Sequence, residues 1–238
     1  DGVDVAVEQA GAVELAEQGG DAAGAVDVLD VVGRGVGGHL AQAGHAARDG
    51  VDVVEREVDA GLVEHMRSDD AFASEDADLQ ASFDALRADL EEGGEQRLEE
   101  LAVAYNRVFY GMGPRTAKKA FPYESVYTSA KGLMMQDAYE QARKDYREAG
   151  VAKNPSFTEP DDHVAVELAF MARMCELAVE TLRAQGSEAE SQMRAQRSFL
   201  QRHLLNWTDR FVVDVRAADE GFYGHAATLL AQFLQADL

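Results

Sequence analysis

Cysteine is nearly absent from this 238-residue chain: Cys175 is the only one, so an internal disulfide is excluded. A single cysteine also fits a reducing compartment, where disulfides are rare. The sequence contains no run of about 18 apolar residues, the length that a membrane-spanning helix needs. Its first residues lack the basic segment followed by an apolar segment that marks an export signal. These absences predict a cytoplasmic protein without a membrane-spanning helix.

Basic residues are also scarce, because 22 Lys and Arg face 44 Asp and Glu and the formal net charge is −22. A surface this acidic repels phosphate backbones and anionic lipids. We therefore expect neither nucleic acid nor stable membrane association among the main partners. The same charge suits a soluble protein, or one that receives a basic ligand.

The first part of the chain lacks many residue types. Residues 1–65 contain no Lys, Ser, Thr, Asn, Pro, Ile, Cys or aromatic residue, and they hold 14 acidic residues against 3 basic ones. Folded domains rarely avoid so many common residues over this length. Every residue type present can be encoded by a codon beginning with G or C, as in a GC-rich gene read in a wrong frame. We expect a non-native or disordered extension, with translation starting at or near Met66; an acidic low-complexity tail is the alternative.

A dinucleotide-binding pattern lies inside this segment. Gly33, Gly35 and Gly38 have the Gly-x-Gly-x-x-Gly spacing that lets backbone N–H groups approach a pyrophosphate at a helix start. Asp52 and Glu55 lie near the position expected for an acid that binds the ribose. In a segment rich in Gly and Val the spacing arises easily by chance, and no alternating strand–helix pattern follows it. A nucleotide-binding oxidoreductase is therefore an alternative function.

From Met66 onward, apolar residues repeat at helical spacing. One stripe consists of Leu79, Phe83, Leu86 and Leu90. The pattern continues in later segments, including a predicted helix at residues 133–149, and no strand pattern or internal repeat is visible. Residues 66–238 are therefore predicted to form a single all-α domain, a helical bundle with short connections.

The stretch EPDDHVAVELAFM, which begins at Glu159, places acidic side chains and a histidine at the start of an apolar helix. Pro160 disfavours helix at Glu159. Asp161 or Asp162 can accept hydrogen bonds from the first N–H groups of the helix, and a negative charge there also suits the helix dipole. Helix capping is therefore a sufficient structural explanation for the two aspartates.

His163 and Glu167 are four residues apart and share one face of this helix, which continues as an apolar stripe. A carboxylate at the head of a buried stripe needs a partner, because an unpaired buried charge is costly. That partner is either His163 or an arginine from another helix. Alternatively, Asp162, His163 and Glu167 are ligands of a metal ion. A helical metal-binding protein centred on His163 is thus a second alternative.

Three motifs occur along the chain in the order YNRVFYGMG, FPYESVY and EPDDHVAVELAFM. In this order and spacing the chain resembles the TorD/DmsD family of cytoplasmic chaperones, which mature molybdopterin-containing reductases of the DMSO/TMAO reductase type. The resemblance covers roughly residues 98–238. It implies an all-helical bundle of the TorD-like type. Its partners are the twin-arginine signal peptide and the apo-form of a reductase catalytic subunit, which it holds back from export until the cofactor is inserted.

The resemblance also implies that the protein is not an enzyme and has no cofactor of its own. No serine lies in a nucleophile elbow, and Cys175 lies within an apolar helical stretch. Either a monomer or a dimer is compatible with the sequence. One departure is that members of the family begin with a helix containing an Arg-x-x-x-Tyr-like pattern, which this chain lacks. We therefore expect either that the gene is truncated or frameshifted, or that the first helices of the family have been lost.

The resemblance places peptide binding at two loops, one aromatic and one acidic. The residues that match or adjoin the family's motif positions are Phe121, Pro122, Tyr123, Ser125, Tyr127, Asp161, Asp162, His163 and Glu167. The apolar segment of a signal peptide would lie in a groove lined by Phe121, Tyr123, Tyr127 and Met134, as in helix-in-groove recognition. Its arginines would meet Glu159, Asp161 and Asp162, because planar guanidinium groups favour carboxylates. Packing of the aromatic side chains under a long loop is the alternative.

Overall fold

Helices form almost all of the regular structure in the computed structural model. The residues it describes are 50–51, 58, 60–68, 72–92, 96–111, 119–153, 155 and 157–236. In chain order the elements are β1 (Gly50–Val51), α1 (Ala60–Arg67), α2 (Ala77–Glu92), α3 (Arg97–Val108), α4 (Glu124–Thr128), α5 (Asp137–Glu148), β2 (Ala152–Lys153), α6 (Val164–Arg183), α7 (Ala189–Phe199), a π-helical turn (Leu200–Leu204), α8 (Leu205–Ala218) and α9 (Phe222–Ala236). The predicted all-α class is confirmed.

The core of the bundle is built on the C-terminal helices. Helix α9 packs against both α8 and α2, while α6 packs against α7. The predicted stripe on α2 is confirmed, because its buried residues are Leu79, Phe83, Leu86 and Leu90. Burying a leucine or phenylalanine side chain contributes roughly 1.5–3 kcal/mol, so this stripe explains why α2 forms and where it packs.

Helix α1 begins upstream of the predicted domain start, and Met66 lies inside it. The Met66 side chain is fully buried in the core, and the guanidinium of Arg67 donates to the carbonyl of Leu90 at 3.0 Å. Strand β1 also lies upstream and pairs in parallel with β2, although the sequence shows no strand pattern. The assignment of residues 1–65 to a non-native or disordered extension stays a prediction. The proposed nucleotide-binding residues lie outside the described ranges: Gly33, Gly35, Gly38, Asp52 and Glu55.

The helix predicted at residues 133–149 begins later than expected, at Asp137. Residues 133–135 lie in a loop, where Met135 has a φ of 55° in the left-handed region. The reason is a tertiary contact: the backbone N–H of Gln136 donates to Ser125 Oγ at 3.0 Å. The short helix α4, between α3 and α5, has no counterpart in the sequence pattern.

No helix in the described part of the chain is long and apolar enough to cross a membrane.

Candidate functional site

The aromatic and acidic motif loops are joined directly through their backbones. The N–H of Val164 donates to the carbonyl of Pro122 at 2.9 Å, and the N–H of Glu124 donates to the carbonyl of Asp162 at 2.9 Å. These two bonds flank an antiparallel bridge between Tyr123 and His163. The two motifs, about forty residues apart in the chain, therefore form one local structure.

Asp162 caps α4 rather than the helix that follows it. Its Oδ2 accepts a hydrogen bond from the backbone N–H of Ser125 at 3.0 Å, and the residue is 0% exposed. Ser125 is the second residue of α4, so this N–H is one of those without a partner inside the helix. Burial raises the pKa of Asp162, while hydrogen bonds from Ser125 act in the opposite direction. The expectation that Asp161 or Asp162 caps α6 is wrong.

His163 is the residue that caps α6. Its Nδ1 accepts from the N–H of Ala165 at 3.1 Å, which in the neutral ring places the proton on Nε2. The imidazole is buried, and it meets Tyr123 edge-on at 5.1 Å and Phe157 at 6.1 Å between ring centroids. The extended backbone of an N-cap fits a residue that also takes part in the bridge with Tyr123. His163 therefore joins the aromatic loop, the acidic loop and the start of α6.

Glu167 is fully buried, one turn along α6. Its Oε2 accepts from the indole N–H of Trp207 at 3.2 Å. Burial and the neighbouring carboxylate of Glu124 raise the pKa of Glu167 well above its usual range. The predicted partners, His163 or an arginine, are not the ones observed. The groups beside the Glu167 carboxyl are Trp207 of α8, Glu124 of α4 and His203 of the π-helical turn.

A second buried polar group adjoins the two loops. Glu124, Glu167 and His203 each place one oxygen or nitrogen atom that could bind a metal ion within 4.8 Å of the others. His203 Nδ1 is 2.7 Å from Glu124 Oε2, and its Nε2 is 3.2 Å from Asp145 Oδ2. Two carboxylates and an imidazole suit a divalent transition metal, but here both ring nitrogens already face carboxylates. Within the described ranges, His163 belongs to no group of donors close enough to share an ion, so the structure does not favour a metal centre there.

Sequence reasoning missed the contact between Glu124 and His203, which are 79 positions apart in the chain. Neither residue has a neighbour at a ligand-like spacing. Only the tertiary packing of α4 beside the start of α8 brings the two side chains together.

The aromatic side chains of the site differ in exposure. Phe121 is 37% exposed, whereas Tyr123 is buried and donates its hydroxyl to Glu159 Oε2 at 2.5 Å. Tyr127 is half-buried and stacks on Trp207, with ring centroids 5.4 Å apart and planes at 28°. Burial raises the pKa of both tyrosines. The packing interpretation thus describes Tyr123 and Tyr127 well, and Phe121 alone offers its ring to solvent.

The acidic loop already has basic neighbours. Asp161 Oδ2 is 3.8 Å from Arg143 Nε, and its Oδ1 is 3.6 Å from Lys153 Nζ. The ammonium of Lys153 also donates to the backbone carbonyl of Glu159. Asp161 is partly accessible, with a side-chain exposure of 16%.

An exposed apolar segment adjoins the aromatic loop. Leu133 and Met135 are 52% and 55% exposed, and Met134 between them is also exposed. The bond from Gln136 to Ser125 Oγ ties the end of this segment to α4. Together with Phe121, these side chains form what we call the exposed apolar group; the sequence prediction included Phe121 and Met134 but not Leu133 or Met135.

The predicted site residues thus divide by burial. The buried ones are Pro122, Tyr123, Ser125, Asp162, His163 and Glu167, the half-buried ones are Tyr127 and Asp161, and Phe121 is exposed. The structure brings the predicted loops together, but most of their polar side chains are engaged with other parts of the protein.

Comparison with known proteins gives a consistent set of relatives. A family model described as nitrate reductase delta subunit matches residues 73–213. The chaperone protein TorD of Photobacterium profundum is 37% identical over 54% of this chain and 60% of that protein. The chaperone protein TorD of Aliivibrio fischeri is 30% identical over 69% of this chain and 76% of that protein. The chaperone protein TorD of Shewanella pealeana is 29% identical over 76% of this chain and 81% of that protein. The chain spans about three fifths of the length of the first of these relatives.

Proposed function

The chain belongs to the TorD/DmsD chaperone family, and from this premise we propose that it is a cytoplasmic chaperone for a molybdopterin-containing reductase. In this proposal it binds the twin-arginine signal peptide of the catalytic subunit, holds the apo-form back from export and assists cofactor insertion. It performs no chemistry itself. The similarity to chaperone proteins supports this function.

The observation that carries the proposal is the direct contact between the two motif loops. The bridge between Tyr123 and His163 holds the aromatic loop and the acidic loop side by side. A peptide lying across them can meet apolar side chains on one side and carboxylates on the other. A signal peptide has the matching pattern, with two arginines next to an apolar segment.

The exposed apolar group is the proposed contact for the apolar segment of the peptide. Exposed large apolar side chains that cluster on a protein surface commonly mark interaction sites. Methionine suits this role, because its flexible and polarizable side chain adapts to apolar surfaces of different shape. We assign this role to Phe121, Leu133, Met134 and Met135.

Glu159 and Asp161 are the proposed contacts for the arginines. The ion pairs from Asp161 to Arg143 and Lys153 are long, at 3.8 and 3.6 Å, and pairs of this kind near the surface contribute little. An incoming guanidinium can replace them with a bidentate contact of shorter distance. Residues 66–238 retain a net charge of −11 once the −11 of residues 1–65 is taken from the total of −22, and this acidic domain adds a general attraction for a basic segment.

Asp162, His163 and Glu167 keep a role in the proposed site, but not as direct ligands of the peptide. Their side chains are buried and bonded to Ser125, Ala165 and Trp207 respectively. In this proposal they hold the two loops in the geometry that the peptide requires.

The test is the binding of a fluorescently labelled peptide to the purified chain, followed by anisotropy. A peptide with two adjacent arginines and an apolar segment should bind, and added salt should weaken it because the surface charges are screened. A version with both arginines replaced by glutamine should bind less tightly, and a scrambled version should bind least. Equal binding of all three peptides to a chain that circular dichroism shows to be helical would overturn the proposal.

A further inference from the structure

Helix α4 carries two of the predicted site residues, Ser125 and Tyr127, but it is only five residues long. A helix of this length is not stable by itself, because fixing the first turn costs more conformational entropy than its hydrogen bonds recover. Its position must therefore be set by its packing neighbours, which are α5 and α8.

The start of α4 is held by what we call the buried polar chain, formed by Glu124, His203 and Asp145. Glu124 Oε2 is 2.7 Å from His203 Nδ1, and both side chains are almost completely buried. His203 Nε2 lies 3.2 Å from Asp145 Oδ2, which also accepts from Arg202 at 2.5 Å. The imidazole therefore lies between two acidic side chains, one facing each of its ring nitrogens. The buried polar chain thus links α4, the π-helical turn and α5 through contacts at hydrogen-bond distance.

The remainder of α4 rests on α8, the helix that follows His203. Tyr127 stacks on Trp207 and meets Phe211 edge-on, with ring centroids 5.9 Å apart. Arg210 donates to the backbone carbonyl of Tyr127. Because His203 lies in the turn that leads into α8, one continuous segment holds both ends of α4.

We propose that His203, which lies outside both motif loops, is a positioning residue for the peptide site and acts through Glu124 and Asp145. It does not touch the peptide, because it is almost completely buried. This inference rests on the proposed function. The π-helical turn that carries His203 is consistent with it, since such turns are rare and frequently accompany functional sites.

The physical consequence of removing the imidazole follows from burial. Without the imidazole, the side chain of Glu124 loses its hydrogen-bond partner and is left buried beside Glu167, an arrangement that is strongly unfavourable. Glu124 gains most by turning toward water, which displaces the first turn of α4. Ser125 then loses its alignment with Asp162, and the bond from Gln136 to Ser125 Oγ is disturbed with it. The displacement thus reaches the exposed apolar group.

The experiment compares His203→Gln with a matched control, His225→Gln, in the full chain. His225 also pairs with a carboxylate, since its Nδ1 is 2.5 Å from Asp89 Oδ2, but this pair joins α9 to α2 and includes no motif residue. Hydrogen exchange of the segment that contains Ser125 and Gln136 is measured in the free proteins. The affinity for the twin-arginine peptide is measured in parallel, together with overall stability in urea.

His203→Gln is expected to accelerate exchange of this segment about tenfold and to weaken peptide binding about tenfold, as the loss of a charged hydrogen bond predicts. His225→Gln should leave both quantities close to those of the wild type, whatever its effect on stability. Equal changes in the two variants, or no change in His203→Gln, would overturn the inference.

Two further outcomes are distinguishable. If the wild type binds no peptide, the proposed function fails, whereas the exchange rates still decide whether His203 positions α4. If His203→Gln does not fold, Glu124→Gln takes its place, because an amide still accepts from His203 but carries no charge. In Glu124→Gln, hydrogen exchange at Ser125 that is faster than in the wild type, but by less than tenfold, supports the inference. Exchange identical to that of the wild type overturns it.

Discussion

The buried and the exposed parts of the candidate site use different residues. The most recognisable residues of the acidic motif are buried and hydrogen-bonded within the protein; they are Asp162, His163 and Glu167. The exposed apolar group lies in and beside the aromatic loop, and most of it belongs to a segment that the motifs do not include. Within the aromatic motif at residues 121–127 and the acidic motif at residues 159–171, Phe121 is the only exposed residue.

This difference separates two tasks. The buried polar residues join α4 to α6 and to α8, and a change there alters the scaffold. The exposed residues have few internal contacts to lose, so a change there should alter binding alone. The following predictions test whether the two parts respond in these different ways.

The largest effect is expected from Asp162→Ala, which removes the buried cap of α4 and leaves the N–H of Ser125 unsatisfied. We expect the free energy of unfolding to fall by about 2–3 kcal/mol, measured by urea denaturation. Asp162→Asn keeps a carbonyl oxygen that can accept the same bond and should retain most of the stability. A loss of less than about 0.5 kcal/mol in the alanine variant would place Asp162 with the exposed residues.

Glu167→Gln should change how stability depends on pH. Burial raises the pKa of Glu167 above its ordinary value of 4.5, which means that the folded protein favours the neutral carboxyl. The stabilisation from this preference is complete below pH 4.5. It decreases as the pH rises above 4.5 and is lost once the pH passes the raised pKa. Glutamine does not titrate and can still accept from Trp207. Above pH 4.5, the free energy of unfolding of Glu167→Gln should therefore rise relative to that of the wild type, by up to about 1.4 kcal/mol for each pH unit.

Urea denaturation of both proteins at a series of pH values measures this difference. If the free energies of unfolding of the two proteins change in parallel with pH, burial does not raise the pKa of Glu167.

The exposed apolar group predicts the opposite pattern, a loss of binding without a loss of stability. The double substitution Leu133→Ser and Met135→Ser should lower the affinity for the twin-arginine peptide about tenfold, because two large apolar contacts are removed. The free energy of unfolding should change by less than about 0.5 kcal/mol. Val103→Ser is the control, since Val103 is 66% exposed on α3, outside both loops. Equal peptide affinity in all of these variants would remove the segment from the proposed site.

The smallest effect is expected from Met135→Gly. Met135 has a φ of 55°, a conformation that costs a side chain free energy and costs glycine little. Stability should rise by about 0.5 kcal/mol or stay constant, while peptide binding weakens because a methionine side chain is lost. A clear decrease in stability would show that Met135 packs against the scaffold after all.

The long helices of this protein could be predicted from sequence because each has its own apolar stripe. Leu79, Phe83 and Leu90 lie on the face of α2 that periodicity predicts, and packing confirms it. The motif order also identified the family. Both predictions depend on local or ordered patterns, which the sequence displays directly.

Tertiary contacts determined what the sequence did not show. Helix α4 is too short to have a periodic stripe, and its cap, Asp162, comes from a different loop. The segment before Asp137 has helix-forming residues, but Ser125 holds Gln136 in a different conformation. Glu124 and His203 meet only after α4 packs beside α8. These contacts join residues distant in the chain, so no local pattern records them.

The most direct test of the account is photo-crosslinking with a twin-arginine peptide that carries a photoreactive group in its apolar segment. If the exposed apolar group receives this segment, mass spectrometry should locate the crosslinks at Phe121 and at residues 133–135, and excess unlabelled peptide should suppress them. Crosslinks found mainly on α2, α9 or another surface away from the two loops would contradict the account.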